Sequence, residues 1–217
     1  MTPQISGWLA TALALLLAGC MAVPANVEAA AAATDDISAP PGSWRATATV
    51  QDRARIRGWY AAWRDALADA RAKGFGPQIA SEGALLDPEA SLPNPHLPPG
   101  EYRCRTVKLG APLGPLAYVP YGWFTCRIAG EQGIVSLTKT SGSQRPVGLI
   151  FPDDMRRQIF LGTLMLGDET MPLDYGADKM RDMAGIVERI GERRWRLVLP
   201  RPAYESMLDV IEIVPAE

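Results

Sequence analysis

The chain has 217 residues, 47% of them hydrophobic, with 22 Lys and Arg against 24 Asp and Glu for a formal net charge of −2. That balance lacks the strongly basic surplus of nucleic-acid binding, so no nucleic-acid partner is expected. The length fits one domain with a small appendage, and the apolar share suits a packed core.

An apolar run from Trp8 to Ala18 opens the chain. It is too short for the roughly 20 residues of a membrane-spanning helix and matches the hydrophobic stretch of a secretory signal. The run ends in Leu17-Ala18-Gly19-Cys20, small residues before a cysteine, which is the order of a lipoprotein signal. Met1 to Gly7 carries no Lys or Arg, so the charged start common to such signals is missing. Residues 1–19 are therefore expected to be a signal peptide cut after Leu17, Ala18 and Gly19. Acyl chains on Cys20 would then tie the protein to a bacterial membrane, facing the periplasm. The alternative is an ordinary signal cut near the Ala29–Ala33 run, which leaves a soluble periplasmic or secreted protein. Residues 20–45, rich in Ala with Pro24, Pro40, Pro41 and Gly42, read as a flexible tether. Residues 46–217 read as one globular domain, helical and proline-rich over 46–99 and antiparallel β over 100–217.

Thr49 with Asp52 three residues on forms a helix-start pattern. Trp59, Trp63, Leu67 and Ala70 then recur at helical spacing, and Gly74 stands where a terminating glycine belongs. One helix is predicted over 49–73, with a short second helix from Pro77 towards Leu85. Pro88, Pro93, Pro95, Pro98 and Pro99 rule out regular structure up to Gly100.

From Glu101 onward, β-rich runs alternate with Gly, Pro and Asp punctuation. Strands are predicted at Tyr102–Leu109, Tyr118–Ile128, Ile134–Lys139, Arg145–Phe151, Gln158–Leu166, Met183–Ile190, Arg194–Leu199 and Leu208–Val214. Short turns such as Gly191-Glu192 make them antiparallel. Ile159 to Leu166 is apolar on both faces, so its outer side needs a cover, for which the Trp59/Trp63 helix face is the candidate. The fold class is α+β: an N-terminal helix and a short second helix on an eight-stranded antiparallel β-barrel, or on a strongly bent sheet. Closure into a barrel would remove the exposed edges.

Setting Cys20 aside leaves Cys104 and Cys126. An even pair in an oxidising compartment reads as a disulfide, worth about 3 kcal/mol in the chain-entropy account. The pair falls on the first two strands, where bridging requires a register that brings the two residues opposite each other. A zinc site would want four ligands, and the only histidine is His96, so no metal or cofactor is expected.

Five segments carry a family likeness: Glu101-Tyr102-Arg103-Cys104-Arg105, Thr140 to Pro146, Phe160-Leu161-Gly162-Thr163, Leu166-Gly167-Asp168-Glu169 and Gly191 to Leu197. The chain resembles, over about Trp44 to Pro215, a bacterial domain-of-unknown-function family of secreted or lipoprotein-like envelope proteins. The resemblance implies an envelope address and adds no catalytic residue.

Candidate chemistry is sparse. His96 lies in a proline-rich loop, which suits a solvated residue better than a catalytic one held rigidly beside a nucleophile. Asp153-Asp154 and Asp168-Glu169 sit at strand ends, where Asp and Gly favour turns; a glycosidase would need two such carboxyls facing each other across a cleft. Gln144 and Arg145 follow a Gly- and Ser-rich stretch, and a guanidinium at a barrel mouth can hold an anion; the alternative pairs Arg145 with Asp168 or Asp182. Arg103, Arg105 and Arg127 read as a solvated face paired with acids, or else as a face for an anionic partner.

Two main readings follow. In the first, a non-catalytic binding module takes a small amphiphilic or anionic ligand, or a peptide, into a hollow barrel lined by residues such as Trp195, Leu197 and Leu199. Arg145 or Tyr175 would stand near its mouth, and Gln144, Asp168 and Trp195 complete the candidate ligand-binding residues. In the second, a structural or partner-binding envelope lipoprotein has a filled barrel and an exposed apolar patch. A third, less favoured, is a hydrolase of envelope glycan or peptide working through at least two of Asp153, Asp154, Asp168, Glu169 and Asp182.

Overall fold

A computed structural model describes residues 42–131 and 134–216. The expected signal peptide, with Leu17, Ala18, Gly19 and the lipidation residue Cys20, lies outside the described residues, as does most of the expected tether. The folded body takes in Trp44, two residues ahead of the expected boundary. Trp44 is buried in the core and its Nε1 donates to Asp153 at 2.8 Å.

Four short helices lead the domain: α1 (Trp44–Thr47), α2 (Val50–Arg57), α3 (Trp59–Ala72) and α4 (Gly76–Ser81). Thr49 starts α2 as expected, its Oγ1 accepting from the Asp52 amide. The box stays half-formed, because the Thr49 amide donates to the Tyr175 hydroxyl instead. The single helix expected over 49–73 is broken at Gly58 (φ −89°, ψ 6°), which ends α2 and starts α3. The second expected helix also divides, into α4 and the 3-10 turn Gly83–Leu85. Gly83 takes φ +55° there, a conformation that ends an α-helix.

Nine strands follow: β1 (Gly100–Leu109), β2 (Tyr118–Pro120), β3 (Phe124–Glu131), β4 (Ile134–Lys139), β5 (Gln144–Pro152), β6 (Arg157–Leu166), β7 (Asp182–Gly191), β8 (Arg194–Pro200) and β9 (Leu208–Pro215). Each of β3 to β8 pairs antiparallel with the next, β3 also pairs with β1, and β9 pairs back to β1. The result is a closed eight-stranded barrel, with β2 added along the second half of β1. The strand expected as Tyr118–Ile128 is interrupted at Tyr121–Trp123. Pro120 has no amide to donate, and only the Tyr121 amide keeps the ladder, donating to Thr106.

Alternation along the strands sorts the apolar residues into two cores. Tyr102, Leu137, Phe160, Val187, Leu197 and Ile213 belong to the lumen. Val107, Ile159, Leu161, Ile186, Val198 and Val210 lie outside it, in one cluster with Trp63, Ala66, Leu67 and Ala70 of α3. This explains β6: one apolar face fills the lumen and the other lies under the helical layer. That layer sets α2 on β7 and α3 across β8, β9 and β1.

Cys104 and Cys126 form a disulfide with Cα atoms 6.0 Å apart. They are diagonal rather than opposite: Cys104 aligns with Phe124 and Cys126 with Tyr102. Both side chains enter the lumen, which is what makes the diagonal bridge possible.

Candidate functional site

The lumen is filled at one end and hollow at the other. At the filled end Trp195 meets Tyr102 edge to face, ring centroids 6.1 Å apart, and its Nε1 donates to the His96 carbonyl at 3.1 Å. Phe160 and the disulfide complete that plug. At the other end, where β1, β4 and β8 finish and β5, β7 and β9 begin, a cavity of about 240 Å³ opens. Leu164, Met183, Leu199 and Ile211 give it apolar walls, while Thr106, Lys108, Lys139, Gln144 and Asp209 bring polar groups to it.

Strand periodicity places the charges. Lys108 lies two residues after Thr106 and four after Cys104, so it shares their inward face. By the same phase Lys139 follows Leu137, and Asp209 precedes Ile211. Both lysines are buried. Lys108 is neutralised: its Nζ lies 3.0 Å from Glu205 and 3.3 Å from Asp209. Burial opposes its charge, but Asp209 and Glu205 outweigh that and hold its amine above the usual lysine range.

Lys139 is different. Its Nζ donates to the Gln144 carbonyl at 2.9 Å and lies 3.9 Å from the centroid of the Phe124 ring. Among the described residues, no carboxylate comes within ion-pairing reach of it. Burial pushes its amine down to about 8, and the positive charges of Lys108 and Arg145 push the same way. The site therefore offers a desolvated cation with spare donor capacity beside apolar walls. This arrangement suits a small ligand with an acidic head and an apolar body.

The other sequence candidates are scattered. Gln144 lines the cavity. Arg145, next to it, points out of the barrel by alternation, and its Nη2 donates to the Glu169 carbonyl at 2.6 Å. Asp168 is exposed in the turn after β6. Tyr175 works on the helices: its hydroxyl donates to Asp52 at 2.6 Å, and burial raises it well above the usual tyrosine range, with Asp52 adding to that. Trp195 belongs to the plug. Glu169 carries Arg181 at the rim, both oxygens 2.9 Å from guanidinium nitrogens, and that hydrogen bonding lowers its carboxyl to about 2.

The carboxylates do not converge. Asp153 and Asp154 serve the turn between β5 and β6 at the filled end, where Asp154 accepts from the Arg156 and Arg157 amides. Glu169 and Asp182 sit at the mouth end, Asp182 accepting from Gly176. Arg105 is held outside by Glu82 and Glu212, and Arg127 pairs with Glu101. His96 is exposed in its loop. Among the described residues no group of His, Cys, Asp and Glu can hold a metal, and no helix is long and apolar enough to cross a membrane.

Lys108, Lys139 and Asp209, the groups that define the cavity, are not among the residues expected from the sequence. Their signal was present in the register: each stands in phase with apolar lumen positions rather than with the polar face.

A family model described as a domain of unknown function (DUF4893) matches residues 44–213. No curated protein matches the chain, and no solved structure does.

Proposed function

The chain belongs to the DUF4893 family, and we propose that it is a non-catalytic binding module which takes a small amphiphilic acid into the open end of its barrel. The acid head meets the Lys139 amine, and the apolar body lies along Leu164, Met183, Leu199 and Ile211. The observation that carries this reading is the buried Lys139 ammonium, which faces the cavity with no carboxylate within ion-pairing reach among the described residues. A buried charge is costly unless paired, so an acid in the cavity would supply the missing partner. A dry apolar cavity of about 150 Å³ accepts benzene, so 240 Å³ suits a ligand of about ten heavy atoms. The Leu17-Ala18-Gly19-Cys20 pattern supports an extracytoplasmic address with a lipid anchor on Cys20.

Thermal unfolding with sodium octanoate and with octan-1-ol tests the reading. Octanoate is expected to raise the melting temperature, the alcohol to do so far less, and Lys139→Met to abolish the difference. Equal shifts from both compounds, or no shift from either, would overturn it. Mass spectrometry of the mature N-terminus tests the anchor: an acylated Cys20 supports it, and an unmodified start near Ala29–Ala33 refutes it.

A further inference from the structure

The basic residues of this chain are very unevenly chosen. Of the 22 Lys and Arg, only Lys73, Lys108, Lys139 and Lys179 are lysines. Two of these four point into the barrel lumen. Lys73 is ion-paired with Asp69 at 2.9 Å on the helical layer, and Lys179 is exposed on the loop before β7. A chain that otherwise prefers arginine has placed at its cavity the one cation that can lose its proton. Arginine would clamp an anion better, and permanently.

We propose that Lys139 is a carbonyl-reactive lysine, forming a reversible imine with small apolar aldehydes or ketones that enter the barrel mouth. The inference rests on the mouth being a ligand site, and it assigns that site a second, covalent chemistry. The unprotonated Nζ attacks the carbonyl carbon and gives a carbinolamine. The remaining C–O single bond of the former carbonyl then breaks, the hydroxyl leaves as water with one added proton, Nζ gives up its second proton, and a C=N bond joins the ligand to Nζ. Nothing is oxidised or reduced, and solvent at the open mouth exchanges the protons. Hydrolysis runs the same steps backwards.

Three features favour the step at Lys139 over the other lysines. The amine is buried and cation-flanked, the environment that activates lysine nucleophiles. Its lowered proton affinity leaves about a tenth of it neutral at pH 7, against well under a thousandth of an ordinary lysine. The cavity beside it has apolar walls, which concentrate an apolar carbonyl compound. Lys108 faces the same cavity but is held protonated by Asp209 and Glu205. The charged groups around Lys139 come from every side of the mouth: Arg55 on α2, Lys108 on β1, Arg145 on β5, Asp182 on β7, Asp209 on β9, and Arg181 and Glu205 on the rim loops.

The full chain is incubated with hexanal and sodium cyanoborohydride at pH 7.5, and the alkylated lysines are located by peptide mass spectrometry. Lys139 is expected to be labelled about tenfold faster than Lys73 or Lys179, with the preference fading towards pH 10, where ordinary lysines also lose their protons. A Lys139→Arg variant, which keeps the charge, loses the fast label. Even labelling of all four lysines, or labelling led by exposed Lys179, overturns the proposal. Octanoate in the same reaction separates the two ideas. If octanoate raises the melting temperature while Lys139 stays unlabelled by hexanal even without octanoate, acid binding stands and the imine falls. If Lys139 labels fast and octanoate neither slows it nor stabilises the protein, the imine stands and acid binding falls.

Discussion

Gly148 and Gly162 stand directly opposite each other on β5 and β6, each on the lumen side with the Phe160 ring against it. A Cβ on Gly148 would run into the Leu161 carbonyl and the Gly162 Cα, and one on Gly162 into the Val147 carbonyl and the Gly148 Cα. Glycine inside a strand normally costs about 0.5–1 kcal/mol relative to alanine. Here the sign reverses, because a methyl group would force the two backbones apart.

Gly148→Ala and Gly162→Ala are therefore expected to cost about 2–3 kcal/mol each, lowering the melting temperature by about 5–10 °C. Gly76→Ala is the control, since a Cβ there meets nothing within 4 Å; it should change stability by less than about 0.5 kcal/mol. Thermal unfolding of the three variants decides the point, and tolerance of alanine at both barrel positions would refute the close approach.

Lys139 is expected to weaken the fold it sits in. Its folded-state value of about 8 lies below the usual 10.5, so the native state resists protonation more than the unfolded chain does. The penalty is fully present below pH 8 and is relieved as pH rises from 8 towards 10.5, so stability rises with pH across that window. Lys139→Met should stabilise the protein by about 1–2 kcal/mol at pH 7, and its advantage over the wild type should shrink by pH 10. Paired urea titrations at the two pH values measure this; a gap that does not change with pH would sink it.

Much of the fold could be read from the residues, because each strand is a short alternating run closed by a turn residue. Seven of the eight predicted strands appear whole. The exception, Tyr118–Ile128, fails where Pro120 and Gly122 interrupt the ladder, a break that apolar content around them conceals. The long helix fails similarly at Gly58, where one glycine inside a periodic pattern gave no sign of a full stop. The site was much less legible. Arginine and carboxylate clusters look chemical in one dimension, yet in the fold they serve turns and surface ion pairs. Lys139 and Lys108 close strands, where a lysine usually means solvent. Only the closure of the barrel turns their position in the alternation into burial beside a cavity.

The disulfide gives a separate test of the filled end. Cys104 and Cys126 close a loop of 22 positions, worth about 3 kcal/mol in the chain-entropy account. Full reduction should lower the melting temperature by about 6–12 °C. Cys126 stands opposite Lys139 across β3 and β4, but neither cysteine lines the cavity, so octanoate should still stabilise the reduced protein. Loss of the octanoate effect on reduction would mean that the two halves of the lumen do not behave independently.

Arg196 bears on how the helical layer is held to the barrel. Its side chain and that of Glu188 are fully buried, with 2.7 Å between them. The guanidinium also donates to the carbonyls of Ala84, Leu85 and Asp87 and lies 4.4 Å from the Trp63 ring centroid. One side chain thus satisfies a carboxylate on β7, the carbonyls around the 3-10 turn and an aromatic face on α3. Arg196→Met leaves Glu188 with only Arg157, 3.3 Å away and partly exposed, and should cost about 3–5 kcal/mol. Arg196→Lys keeps the charge but lacks the planar fork, and should recover less than half of that loss. In the double variant Glu188→Leu/Arg196→Met the buried charge is gone, and the remaining cost is that of the unpaired carbonyls, about 1–3 kcal/mol. Urea unfolding of the three variants should therefore rank the double variant above Arg196→Met in stability. The opposite order would show that the carbonyls, rather than the ion pair, make Arg196 indispensable.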